Sequence, residues 1–232
     1  MENIRKNTQL GEKLNKRVFI LGAGGFARET LDVYIDLGRE KDVLGFLEED
    51  CKREGEMLNG KPIHNISYLS QFSKENKPLI IAAIGSTKRK RLIEKLKDDD
   101  HQFDTVIHPS TIYSRWVEIG EGSIVTAGVI ITCQVDIGSH VILNLGVRVG
   151  HDVKIGDYVT ISPGSEIMGH VTIGDEVYVG VNATIIDGIK VGNGAIVAAG
   201  AVVIENVPEM SLVAGVPAKV KKIYGSIEEK PW

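Results

Sequence analysis

From Ile107 to Val203 an aliphatic side chain returns at every sixth residue: of seventeen positions counted by sixes, sixteen are Ile, Leu or Val, and Tyr113 is the exception. The next residue is often glycine, as at Gly120, Gly138, Gly150, Gly156, Gly174, Gly180 and Gly192. Four residues after each aliphatic stands a small or β-branched residue, including nine valines between Val117 and Val177. A helix repeats its faces about every 3.6 residues and a strand every 2, so neither hides one aliphatic per six. A coil with three short flat sides does. Each hexad is one side, its aliphatic points to the axis, and the glycine is expected to permit the corner. Three sides make an 18-residue coil, and successive coils stack at about 4.8 Å.

The rest of the chain is unlike this. Arg17–Leu21 reads as a short apolar strand running into Gly22-Ala-Gly24-Gly25-Phe26-Ala27, and a helix follows with Ala27, Leu31, Tyr34 and Ile35 on one face. A second strand over Val43–Leu47 ends in Glu48, Glu49 and Asp50, and a third over Pro78–Ile84 meets Gly85 before another helix. Strands alternating with helices predict a small parallel sheet covered on both faces. A glycine loop between strand and helix offers backbone N–H groups to a phosphate. A full dinucleotide fold needs two such halves, and about 90 residues supply one, so a single nucleotide diphosphate fits better than NAD. The acids ending the second strand can accept hydrogen bonds from a ribose or base, or can simply be solvated.

Four segments follow: a polar extension over 1–16, a Rossmann-like α/β nucleotide-binding domain over 17–106, an all-β parallel β-helix over 107–205, and a cap and tail over 206–232. The net charge of −4 argues against nucleic-acid binding, which needs excess Lys and Arg. The basic run Lys88-Arg89-Lys90-Arg91 reads as the solvated face of a helix. Cys51 and Cys133 suggest neither a disulfide framework nor a zinc site. No apolar run can span a membrane, and residues 1–16 lack the apolar centre of a signal peptide. A cytoplasmic protein is expected.

The hexad pattern over 107–203 resembles the hexapeptide-repeat acyltransferases, whose prism winds left-handed. Together with the nucleotide-binding segment, the chain is similar over roughly residues 17–225 to bacterial sugar-nucleotide acetyltransferases of glycan biosynthesis. These include the UDP-4-amino-sugar N-acetyltransferases and relatives annotated for sialic-acid O-acetylation. The resemblance implies acetyl transfer from acetyl-CoA to the amine of a nucleotide-linked sugar, with no metal, in a homotrimer whose substrates lie between neighbouring prisms. It places substrate at Gly22, Gly24, Gly25, Phe26, Glu48, Glu49 and Gly85. Relatives often carry His or Ser where this chain has Phe26 and Gly24, so backbone contacts would serve there.

Acetyl transfer from a thioester needs a base, an oxyanion donor and a groove for CoA. His151 is the third residue of its hexad and faces outward, with Asp152 beside it. The segment from Asn144 to Asp152 resembles the family's catalytic stretch, which implies His151 as general base, Asp152 as its partner and Asn144 as a further catalytic residue. A residue 18 later lies one coil above, so Cys133, His151, Gly169 and Asp187 form one column. The resemblance makes the Gly169 N–H the oxyanion donor. His170 stands over Asp152, as a second partner or a surface neighbour. For CoA the resemblance implies Gly169, Gly180, Ala199 and Gly200 along the coils, with Val216, Pro217 and Lys219 in the C-terminal Ala214–Lys219 stretch. Three other readings remain: a carbonic anhydrase, which the absence of His-x4-His disfavours; a non-catalytic nucleotide-binding trimer; and an O-acetyltransferase acting on sialic acid or another sugar hydroxyl.

Overall fold

The computed structural model describes residues 16–231, so the expected polar extension lies, except for Lys16, outside the described residues. Strands β1 (Val18–Leu21), β2 (Val43–Glu48), β3 (Met57–Leu58), β4 (Lys61–Asn65) and β5 (Leu79–Ala82) form one sheet in the order β3-β4-β2-β1-β5. Helices α1 (Gly25–Asp36) and α2 (Lys90–Asp98) cover it. Four consecutive buried residues in β1 and in β5 fit strands covered on both faces. The chain turns one way from β1 to β2 and the other way to β5. A crevice therefore opens at the carboxyl ends of β1 and β5, where open α/β sheets bind ligands.

The rest is a left-handed three-sided prism. Strand pairs shift by one coil throughout, with Ile131 beside Val149, Val149 beside Ile167 and Ile167 beside Ile185. The three faces are sheets of six, five and eight strands. Val125, Val149, Ile161, Val179 and Val197 are almost wholly buried along the axis, and the valines four residues after each aliphatic, such as Val129, Val147 and Val177, fill the gaps between them.

The corners depart from the expected role of glycine. The glycine after each aliphatic is not left-handed; the residue two positions later is, as at Asp152 (φ 56°), His170 (φ 56°) and Gly188 (φ 76°). Glycine is needed earlier because the next coil passes too close: a Cβ on Gly156 would lie 2.8 Å from the Asp175 nitrogen and 2.9 Å from the Gly174 carbonyl carbon.

The eight-stranded face carries the α/β domain. Its outward Ile124 and Ile142 join the core of α1, β1 and Ala83. Of the basic run, Arg89 and Lys90 face this seam, while Lys88 and Arg91 are exposed. Arg89 is 2% exposed and donates to the carbonyls of Ser86, His140 and Val159 and to Thr160 Oγ1. Lys90 pairs with Glu176 at 2.6 Å. Burial pushes the Arg89 pKa down, and the nearby Tyr158 and Glu176 oppose this. The five-stranded face is solvated, presenting Glu118, Asp136, Lys154, Thr172 and Lys190. The six-stranded face is flanked by exposed apolar residues: Leu145 and Val181 along one corner, and Met168, Ile186 and Ile204 along the other.

Candidate active site

In a regular strand, neighbouring side chains point to opposite faces. The left-handed turn at Asp152 instead folds its carboxylate back onto the preceding ring. His151 Nδ1 lies 2.8 Å from Asp152 Oδ2. A carboxylate can accept from Nδ1–H, and in that neutral tautomer Nε2 carries the lone pair. Both residues remain about half exposed, and His170 Nδ1 stands 3.9 Å from the same carboxylate oxygen.

Gly169 sits one coil above His151 and completes this cluster. A Cβ there would meet His151 Nε2 at 2.9 Å and Asp187 Oδ2 at 2.6 Å, so its absence leaves a gap that both groups border. The Gly169 carbonyl accepts from the Gly188 N–H, while its own N–H has no acceptor among the described residues. Gly150 below also lacks a side chain; a Cβ on it would lie 2.7 Å from the Gly169 nitrogen. Two glycines thus expose one unused donor beside one imidazole lone pair. Such a pair can take a proton from a nucleophile and hold a developing oxyanion.

The other expected residues divide between two places. Asn144, Gly180, Ala199 and Gly200 lie on the corner after the eight-stranded face, whereas His151 lies on the corner after the six-stranded face. A whole prism side separates them, and among the described residues Asn144 Oδ1 accepts only the Leu145 N–H. The Ala214–Lys219 stretch crosses the upper end of the six-stranded face: Val202 N–H donates to the Gly215 carbonyl, and Ala218 N–H donates to the Val202 carbonyl. Lys219 pairs with Glu205 at 2.9 Å, in the His151 column three coils higher, or about 14 Å at the ordinary strand spacing. Val216 is highly exposed there.

At the crevice expected to take the nucleotide, Gly22 (φ 107°) turns the chain out of β1, its N–H donating to the Leu47 carbonyl. A Cβ on it would press to 3.0 Å from the Ala83 carbonyl oxygen. Helix α1 then starts at an exposed Gly24-Gly25 pair with no acid in its first turn, which leaves its N–H groups and dipole open to an anion. Phe26 packs against the helix-side core. Gly85 turns its carbonyl to Thr160 Oγ1 of the prism. The acids are not bare: Arg53 binds Glu48 and the Ala23 carbonyl, and Arg91 binds Glu49. Arg53 has no sequence signal and Arg91 reads only as part of the basic run, because both pairings arise when the loops and α2 meet. Asp187 does have one, two coils above His151 by the 18-residue step.

Residues 17–96 match the PglD N-terminal domain, and residues 117–133 and 170–205 match the hexapeptide repeat of succinyl-transferase. No curated protein sequence matches significantly. Among solved structures, the chain is similar to perosamine N-acetyltransferase from Caulobacter crescentus, solved with CoA and GDP-perosamine, including forms with one histidine replaced. That match has 32% identity, 89% of this chain, 97% of the other and a TM-score of 0.83. The acetyltransferase domain of PglB from Neisseria gonorrhoeae FA1090, in complex with acetyl coenzyme A, matches at 30% identity over 89% of this chain and all (100%) of that one, with a TM-score of 0.83. WeeI from Acinetobacter baumannii AYE matches at 30% identity over 88% and 99%, with a TM-score of 0.80. With its glycine-loop domain, its hexad prism and these likenesses over nearly its whole length, the chain belongs to the hexapeptide-repeat sugar-nucleotide N-acetyltransferases.

Proposed function

We propose that this protein transfers the acetyl group of acetyl-CoA to the amine of a nucleotide-linked amino-sugar, with His151 as general base. The observation that carries this is the His151 lone pair beside the unused Gly169 N–H. The amine nitrogen attacks the acetyl carbonyl carbon while His151 Nε2 takes its proton, and Asp152 stabilises the imidazolium. The oxyanion rests on the Gly169 N–H. Collapse breaks the carbon–sulfur bond, and CoA thiolate leaves, recovering the proton from His151. No metal enters these steps.

A homotrimer completes the site. The six-stranded face has apolar edges and is the face left for packing, since one other carries the α/β domain and the third is charged. Three prisms joined around a threefold axis bring the His151 corner of one subunit to the Asn144 corner of the next. The groove between them would run from His151 past Gly180, Ala199 and Gly200 to Val216, Pro217 and Lys219, the length of a CoA arm. Residues 17–106 would deliver the sugar nucleotide through Gly22, Gly24, Gly25 and Gly85, with the helix N-terminus on its diphosphate. Arg53 and Arg91 hold Glu48 and Glu49 at the crevice rim. Both substrates are cytoplasmic metabolites, which places the reaction in the cytoplasm.

The test is release of free CoA from acetyl-CoA with GDP-, UDP- and dTDP-linked 4-amino-sugars, and with CMP-linked sialic acid as the hydroxyl acceptor. One amino-sugar nucleotide should give turnover that His151→Ala lowers by about 10²–10⁴-fold, the range for a positioned base. Turnover with hydroxyl acceptors alone, or a variant retaining more than about a tenth of the activity, would overturn the reading.

A further inference from the structure

His151, His170 and Asp187 each offer one donor atom, and the three atoms lie within 4.8 Å of one another. Atoms at the corners of a triangle of that side lie about 2.8 Å from its centre, against roughly 2.0–2.2 Å for zinc to nitrogen or carboxylate oxygen. A contraction of about 0.7 Å per ligand closes the site, and all three residues are exposed within one chain. The two imidazole rings already stand edge to face with centroids 5.0 Å apart.

A second observation points the same way. In the neutral tautomer that donates Nδ1–H to Asp152, His151 Nε2 is a lone-pair donor beside the gap at Gly169. Asp187 Oδ2 borders that gap from above. A carboxylate behind an imidazole, with the other ring nitrogen directed outward at a second carboxylate, is the arrangement that orients histidine toward a metal. We propose that this corner is a site for a divalent late transition metal, with Zn²⁺ as the fitting ion, made by His151, His170 and Asp187. Two imidazoles and one carboxylate favour zinc over Mg²⁺ or Ca²⁺, which take oxygen ligands. The ion is an inhibitor, not a cofactor. This consequence rests on His151 being the base, because the metal takes the lone pair that would receive the amine's proton.

The experiment is calorimetric titration of Zn²⁺ into the full chain, with His170→Ala and Asp187→Ala beside it, followed by acetyl transfer at graded Zn²⁺. The expected result is one ion per chain, bound at least about tenfold more weakly by either variant, since loss of even an outer-shell partner costs about 10–100-fold. Millimolar Mg²⁺ should not displace the ion. His170→Ala, compared with its own metal-free rate, should need about tenfold more Zn²⁺ for half inhibition, and EDTA should restore the wild type. Equal Zn²⁺ affinity in wild type and both variants overturns the site. Binding that depends on His170 and Asp187 without inhibition supports the site and overturns His151 as the base.

Discussion

His151 and Asp152 are neighbours in sequence and are joined through their side chains, Nδ1 to Oδ2 at 2.8 Å, because the chain turns left-handed at Asp152. Asn is among the few residues that accept this backbone. Asp152→Asn therefore keeps the corner and removes only the charge. The substituted amide can also donate to Nδ1 and so favour the wrong tautomer. Turnover should fall by about 10- to 100-fold, the scale of a charge-assisted hydrogen bond, with an unchanged melting temperature. Steady-state rates equal to wild type would remove Asp152 from the mechanism.

Two glycines in equivalent-looking repeats should behave differently. In Gly169→Ala the new Cβ meets the ends of exposed side chains, His151 and Asp187, which can swing away. Activity should drop by at least about tenfold, because even a small misplacement of the base is costly, while the melting temperature hardly moves. In Gly156→Ala the Cβ meets the backbone of the next coil, which cannot move without shifting the stack. The expected loss is about 1–3 kcal/mol, or several degrees of melting temperature. Thermal melts and CoA-release rates on both variants check the contrast; equal stability losses would contradict it.

This difference shows what the sequence carries plainly and what it hides. The six-residue period needs only the inward aliphatics, so coil, axis and 18-residue step were readable, and with them the column from His151 through Gly169 to Asp187. The left-handed corner residue was not readable, because it is Gly in some repeats and His140, Asp152, Tyr158, His170 or Glu176 in others; the requirement is met by the coil geometry, not by one residue type. Arg89 was hidden for another reason. Four successive basic residues read as a solvated face, and only the docked prism supplies the carbonyls that draw one of them inside. The split of Asn144 from His151 follows from counting sides, and only the proposed trimer gives it a meaning.

Arg89 tests how firmly the two domains are joined. Its guanidinium spans from the Ser86 carbonyl in the α/β domain to the His140 and Val159 carbonyls and Thr160 of the prism. Arg89→Met removes the side-chain donors: the buried His140 carbonyl loses its partner, at about 1–3 kcal/mol with entering water recovering part, while the Ser86 and Val159 carbonyls keep the backbone N–H groups of residue 89 and Ile142. A net destabilisation of about 1–3 kcal/mol is expected in urea denaturation at fixed protein concentration. A change below about 1 kcal/mol would show that the seam does not depend on this residue.

His140 gives a prediction in pH. Its ring lies between Phe103, edge-on at 4.7 Å, and Tyr158, stacked at 5.2 Å. Both ring nitrogens are buried and have no hydrogen-bond partner among the described residues. Burial first, then the positive charges of Lys97 and Arg89, push its pKa down to about 3, with Glu94 opposing weakly. An unfolded histidine titrates near 6.5. Between these two values the unfolded chain binds a proton that the folded chain does not, so stability rises with pH. The contribution is whole above about 6.5 and is lost as pH falls toward about 3, at up to about 1.4 kcal/mol per unit. From pH 7 to pH 5 this residue alone should cost about 2 kcal/mol. His140→Asn keeps a residue suited to the left-handed backbone at φ 57° and does not titrate. Its stability at pH 7 will be lower or higher by packing, but its fall from pH 7 to pH 5 should be smaller than the wild type's by that amount. His101, whose pKa burial also lowers, is present in both proteins and cancels. Urea midpoints at three pH values for the two proteins measure the difference; parallel curves would mean that His140 takes up its proton in the folded state.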